Sequence, residues 1–149
     1  MFLKIQGVTG EASDKDHKGE IDVVSWSWGM QAPTAMDGKA NAKAVMTELH
    51  VVKRVDQSSP TLMNYLRSYK VIPQAILTVR KAGQSPLEYF RIELTNARLT
   101  SLQTESQSSE LVERVALNFA KFKACYTPQD AQGARGGGDN IFEADALAK

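Results

Sequence analysis

The chain holds one cysteine and two histidines among 149 residues, and each shortage removes a class of chemistry. Cys125 has no partner for an internal disulfide, and a multi-cysteine zinc site is equally out of reach. Its neighbours Ala124 and Tyr126 supply no base for the thiol proton, so it reads as a buried or half-buried strand residue and not as a nucleophile. His17 and His50 stand far apart, and no local spacing adds the carboxylate a catalytic zinc site would need. Charge of one sign is missing too. Lys and Arg number 18 against 17 acids, and a formal charge of +1 provides no general field for nucleic acid or an anionic membrane. Arg80-Lys81 and Lys121 with Lys123 make basic edges, but Glu88, Glu93, Glu110 and Glu113 balance them. No apolar run reaches the length of a membrane-spanning helix. The opening Met1-Phe2-Leu3-Lys4-Ile5-Gln6-Gly7 is broken by Lys4 and Gln6, unlike the core of a signal peptide. Folding in a reducing cytoplasm is expected, with any export bypassing the signal-peptide route.

What is present is an ordinary globular composition, 42% hydrophobic and 23% charged, in a chain long enough for one core. A single domain over residues 1–149 is expected. Two apparent motifs fail on inspection. Asp14-x-Asp16-x-Lys18-Gly19 begins like a calcium loop, but Lys18 places a cation at a ligand position and Ser25 stands where the closing glutamate belongs. Gly136-Gly137-Gly138 is followed by no Gly-Lys-Ser/Thr and opens no helix, so it reads as tail. No catalytic residue, metal ligand or cofactor site is assigned.

Periodicity organises the rest. Phe2, Leu3 and Ile5 suggest a first strand, followed by a polar, charged and solvated loop from Gly7 to Lys18. Ile21 and Val23 alternate with polar neighbours, and the apolar phase then moves to Val24, Trp26, Trp28 and Met30, leaving Ser25 and Ser27 opposite. A slip of phase inside one strand predicts a β-bulge. The in-phase apolar set favours packing over base-stacking for the two tryptophans. Residues 31–44, with Pro33 and Gly38, form a long loop without periodicity. Val45, Leu49 and Val51 define a half-solvated strand, and Ser58-Ser59-Pro60 starts a helix, with Ser59 placed as its cap. Leu62, Tyr65, Leu66 and Tyr69 share one face of that helix. Period two returns at Ala75, Leu77 and Val79, then a turn at 82–86, then Phe90, Ile92 and Leu94. A last long strand runs from Val115 through Phe122 to Tyr126 with a second phase shift, and the glycine-rich segment 128–149 reads as a flexible tail. About seven strands and one helix predict an antiparallel barrel or a tight two-sheet sandwich.

The ordered segments carry a resemblance that the pattern alone does not. Lys4-Ile5-x-Gly7-Val8-x-Gly10-Glu11, then His17-Lys18-Gly19-Glu20-Ile21-Asp22-Val23 leading into Ser25-Trp26-Ser27-Trp28-Gly29, resemble the haemolysin-coregulated protein family. Val55-Asp56-Gln57-Ser58-Ser59-Pro60, Leu77-Thr78-Val79-Arg80-Lys81-Ala82-Gly83, Glu88-Tyr89 and Leu117-Asn118-Phe119-Ala120-Lys121 follow in the family's order. The resemblance implies a mainly β fold, a small antiparallel β-barrel of two sheets with one flanking α-helix. It further implies a non-catalytic tube subunit of bacterial type VI secretion, forming homo-hexameric rings that stack. Spike, sheath and effector proteins are then the partners, with no nucleic acid, no membrane insertion and no cofactor. The subunit would wait in the bacterial cytoplasm and be secreted by the machine itself to the extracellular space or a target cell. Ser25 and Ser27 match the family's lumen segment and become candidate effector contacts, with close strand approach as the competing explanation. Met36, Asp37, Gly38, Lys39, Asn41 and Lys43 fall in the family's extended loop and become candidate ring-stacking residues. That loop lacks the long glycine run of some relatives, and residues 139–149 depart from the usual ending. Two rival roles remain, an effector adaptor that forms rings without a tube and a small hydrolase built around His17 or His50.

Overall fold

Alternating apolar and polar side chains put most of this chain into strands, and their pairing closes a barrel. A computed structural model describes residues 1–32, 44–81, 87–132 and 134–146. The elements are β1 (Phe2–Ile5), β2 (Ile21–Ser27), β3 (Met30–Gln31), β4 (Val45–Met46), β5 (Leu49–Arg54), α1 (Ser58–Arg67), β6 (Ile72–Arg80), β7 (Glu88–Gln107), β8 (Glu110–Tyr126) and β9 (Asn140–Asp145). Barrel order is β5-β2-β1-β6-β7-β8, and β5 pairs with β8 to close it. Every pairing is antiparallel. Closure removes the exposed edges that an open sheet would leave, which decides between the barrel and the sandwich left open by periodicity. A second small sheet, β3 with β4, stands apart from the barrel.

Inside lie Leu3, Ile5, Ile21, Leu49, Val51, Ile72, Leu77, Ile92, Leu94, Leu99, Leu117 and Phe122, all essentially buried. The helix packs against the barrel core through Leu62, fully buried, while Tyr65 and Leu66 lie half-buried against the same cluster. Tyr69 does not share that face. It lies past the end of the helix at φ +56° and is exposed. The helix start also differs from expectation. Asp56 accepts the Ser58 N–H at 2.9 Å through its carboxylate, whereas Ser59 turns inward and donates to Glu113 at 2.8 Å. An acceptor two residues ahead of the exposed N–H groups reaches them as well as a cap serine does.

The predicted bulge sits between Val23 and Ser25, where the register against β5 shifts. Its consequence is selective. Trp26 and Trp28 turn inward, Trp26 stacking on Phe90 at 5.8 Å and Trp28 on Phe122 at 4.0 Å. Val24 and Met30, expected on the same core face, are exposed at 42% and 45%. Val24 is the extra residue that the bulge pushes out, and Met30 belongs to the separate β3–β4 ribbon. A tight β7–β8 turn uses Ser108 and Ser109, both with positive φ, the backbone twist that two-residue hairpins favour.

The segment expected to be a flexible tail instead returns to the barrel. Beyond Gly138 the chain lays β9 along β8, pairing Asn140 with Tyr126 through Asp145 with Lys121. Glycines end local order, but Ile141 and Phe142 carry strand propensity, and the edge of β8 beyond β5 offers unpaired backbone groups. The turn expected at 82–86 lies outside the described residues, although the strands flanking it pair as predicted.

Candidate functional site

Ser25 and Ser27 emerge on the outer face of the barrel because the bulge reverses the phase of β2 while Trp26 stays inward. Residues directly opposite each other across antiparallel strands share a face. Ser25 lies opposite Val52, which lies opposite Arg114, which lies opposite Gln103. Ser27 likewise leads to His50, Ala116 and Ser101. Two rungs therefore cross β2, β5, β8 and β7. Apart from the half-buried Val52 and the buried Ala116, these side chains are exposed and polar. Arg114 is held within the face by Glu105, at 2.5 Å from its Nε. His50, Ser101, Gln103 and Arg114 are not legible as partners of the serines, because strand register brings them together and no local spacing announces it.

The candidate stacking residues Met36, Asp37, Gly38, Lys39, Asn41 and Lys43 lie outside the described residues. What is described is the base of their loop. Met30 pairs with Met46 and Gln31 with Val45. Thr47 fixes the root, accepting the Gly29 N–H on its hydroxyl at 2.9 Å and donating its own N–H to the Gly29 carbonyl at 2.9 Å. Met30 and Val45 present apolar side chains to the outside here.

Charged groups that composition placed on the surface are partly internal. Glu113, read as one of several balancing surface acids, is fully buried against an equally buried Lys53. Lys53 Nζ donates to Glu113 at 2.6 Å and to Ser59 at 3.3 Å, and Asp56 lies at 3.2 Å. Three oxygens meet the three N–H donors of one ammonium, so this network joins β5, β8 and the start of α1 rather than facing a substrate. Lys53 follows Leu49 and Val51 in alternation, and that phase is the signal the sequence offers.

His17 is buried as well, between Glu20 and Glu88, instead of sitting in a solvated loop. Among the described residues no cluster of three or more His, Cys, Asp or Glu is placed to hold a metal ion. Burial pushes the Cys125 thiol up from its ordinary pKa, and Asp139 nearby adds to the shift, the reverse of what activates a nucleophile. An open groove of about 380 Å³ between β7, β8 and β9 is lined by paired charges, with Lys123 at 3.7 Å from both Glu93 and Glu143.

Over residues 2–126 the chain matches the family described as "Type VI secretion system effector, Hcp". It is 43% identical over 144 residues to Protein hcp1 of Pseudomonas aeruginosa, spanning 93% of this chain and 89% of that protein. Its fold is similar to Hcp1 from Salmonella typhimurium, with TM-score 0.80, 35% identity and coverage of 97% and 92% of the two chains. A type VI secretion system effector from Yersinia pestis gives TM-score 0.81 at 28% identity, covering 97% and 98%.

Proposed function

Because this chain belongs to the Hcp family of type VI secretion, we propose that it is a structural subunit of the secretion tube. Six copies close into a ring, rings stack into a hollow tube, and effector proteins ride in the lumen. The observation that carries the cargo reading is the four-strand outer face built on Ser25 and Ser27, with short hydroxyl and amide side chains and the ring of His50 on a rigid closed barrel. A lumen wall needs such a face, since many weak polar contacts hold a passenger without trapping it.

Ring closure asks for two different surfaces on each subunit, because a head-to-tail contact repeated around an axis is heterologous. Exposed apolar side chains favour two regions for this. Met30 and Val45 flank the β3–β4 base, and Tyr126 and Phe142 share one face of the β8–β9 edge, with Ile141 exposed on the other. The segment between β3 and β4, with Met36, Asp37, Gly38, Lys39, Asn41 and Lys43, is assigned the contact with the next ring. Spike and sheath proteins complete the machine that carries the subunit out of the bacterial cytoplasm. The role is assembly and transport, with no catalysis.

Negative-stain imaging of the purified protein, combined with a Ser27→Arg variant, tests the reading. Wild-type protein is expected as annular particles with a central opening. Ser27→Arg rings are expected to keep that shape while co-purifying with less effector from a type VI-active host. Loss of rings in this variant would place Ser27 in a packed subunit contact, and undiminished effector recovery would remove the serine face from cargo binding.

A further inference from the structure

Between β1 and β2 the chain runs as a strap over residues 7–20. It is internally braced: the Gly10 N–H donates to the Gly19 carbonyl at 2.7 Å, Gly19 to Ala12 at 3.0 Å and Ala12 to Glu20 at 2.9 Å. Gly10 is required by this closeness, because a Cβ there would sit 2.5 Å from the Glu20 carbonyl oxygen. One part of the strap is tied to the helix start, where Glu11 accepts the Gln57 N–H at 2.6 Å and the Gly10 carbonyl accepts from the Gln57 amide at 3.0 Å. The other part is tied to the ends of β6 and β7. There Asp14 takes both guanidinium nitrogens of Arg80, and His17 reaches Glu88.

His17 is 7% exposed and stacks on Phe2 at 4.4 Å with the rings nearly parallel. Nδ1 lies 2.9 Å from Glu20 Oε2, and Nε2 lies 2.5 Å from Glu88 Oε1. Ionised carboxylates only accept, and a neutral imidazole carries a single N–H. Both contacts are hydrogen bonds together only when both ring nitrogens carry protons.

We infer that His17 is held as an imidazolium and acts as a pH-sensitive latch that fastens the 7–20 strap to the start of β7. Losing one proton leaves two carboxylates competing for a ring with one donor, and the tie to β7 fails whenever Glu20, within the strap, keeps that donor and Glu88 is released. The charged groups that act on the ring are Glu20 and Asp14 of the strap and Glu88 of β7, with Phe2 of β1 contributing an apolar face and Arg80 of β6 lying over the Phe2 ring. Burial opposes the charge, but hydrogen bonds and attraction from Glu88 and Glu20 outweigh it and raise the ring pKa above its ordinary 6.5. Arg80 does not cancel this effect, because Asp14 engages it and is itself drawn down to about 2 by that contact. A raised pKa fixes the sign. The latch contributes fully below the unfolded value of 6.5 and is lost as pH rises through the higher folded value. The strap's tie to β7 therefore weakens on the alkaline side, while its ties through Asp14 and Glu11 stay in place.

Hydrogen exchange read by mass spectrometry on the intact protein from pH 6 to 9, corrected for intrinsic exchange, tests this. Protection of the peptide covering residues 10–20 is expected to fall with rising pH while the β7–β8 barrel peptides hold theirs. Glu88→Gln, which removes one of the two charges, is expected to move the midpoint down by about one pH unit. His17→Gln, which cannot carry the charge, is expected to abolish the pH dependence. A wild-type strap whose protection is flat across this range would overturn the proposal. So would a midpoint that Glu88→Gln leaves in place, a result readable even if His17→Gln fails to fold.

Discussion

The first half of β8, Val112–Leu117, pairs with β5 on one edge and β7 on the other, whereas the second half, Lys121–Tyr126, has β9 in place of β5. In the first half nearly every side chain is buried, including the acid Glu113. In the second, the partner strand β9 leaves Ile141 and Phe142 exposed at 55% and 42%. The family match follows the same division, covering residues 2–126 and stopping before β9. One strand thus serves a sealed barrel and an edge addition. Buried side chains concentrate where β5 and β7 flank β8, whereas the C-terminal addition finishes an edge with exposed ones.

Substitutions ordered by expected effect test this contrast. Lys53→Met is expected to cost about 3–5 kcal/mol in denaturant unfolding, because it strands the Glu113 carboxylate in the core. Adding Glu113→Leu to it is expected to recover most of that loss, since a well-packed apolar pair removes both desolvated charges. A double variant as unstable as the single one would show that the pair does more than neutralise itself. Leu117→Ala, which opens a cavity between the same strands, is expected to cost about 2–5 kcal/mol. Deleting residues 140–149 is expected to cost less than Leu117→Ala, with the barrel still folding cooperatively and the bared β8 edge promoting association. A deletion that unfolds the protein would erase the distinction between the two halves. Lys123→Ala, at a partly exposed site with Glu93 and Glu143 each 3.7 Å away, is expected to change stability by about 0–1 kcal/mol, and less at high salt.

The same contrast separates what is legible in the sequence from what is not. Strand identity, the β2 bulge and the helix follow from local alternation, because Ile21, Val23 and the Leu62–Leu66 spacing signal their faces without help from distant residues. Lys53 keeps the inward phase of Leu49 and Val51, yet its charge argues for the surface, and the equally buried Glu113, sixty residues away, joins Asp56 and Ser59 in making burial of that charge tolerable. Val24 defeats the alternation because a bulge removes one residue from it and the pattern does not say which. β9 is hidden behind three glycines, whose disorder signal is overruled by the free backbone groups of β8. Of the candidate site, Ser25 and Ser27 are legible as outward residues opposite the tryptophans. Their neighbours His50, Arg114, Gln103 and Ser101 come from three other strands, and register decides that company.

The proposed role as a tube subunit rests on six copies closing into a ring, so the solution mass of the purified protein by light scattering is the most direct test of that proposal. A stable species with the mass of six chains is the predicted result. A single-chain mass that persists to high protein concentration would contradict it.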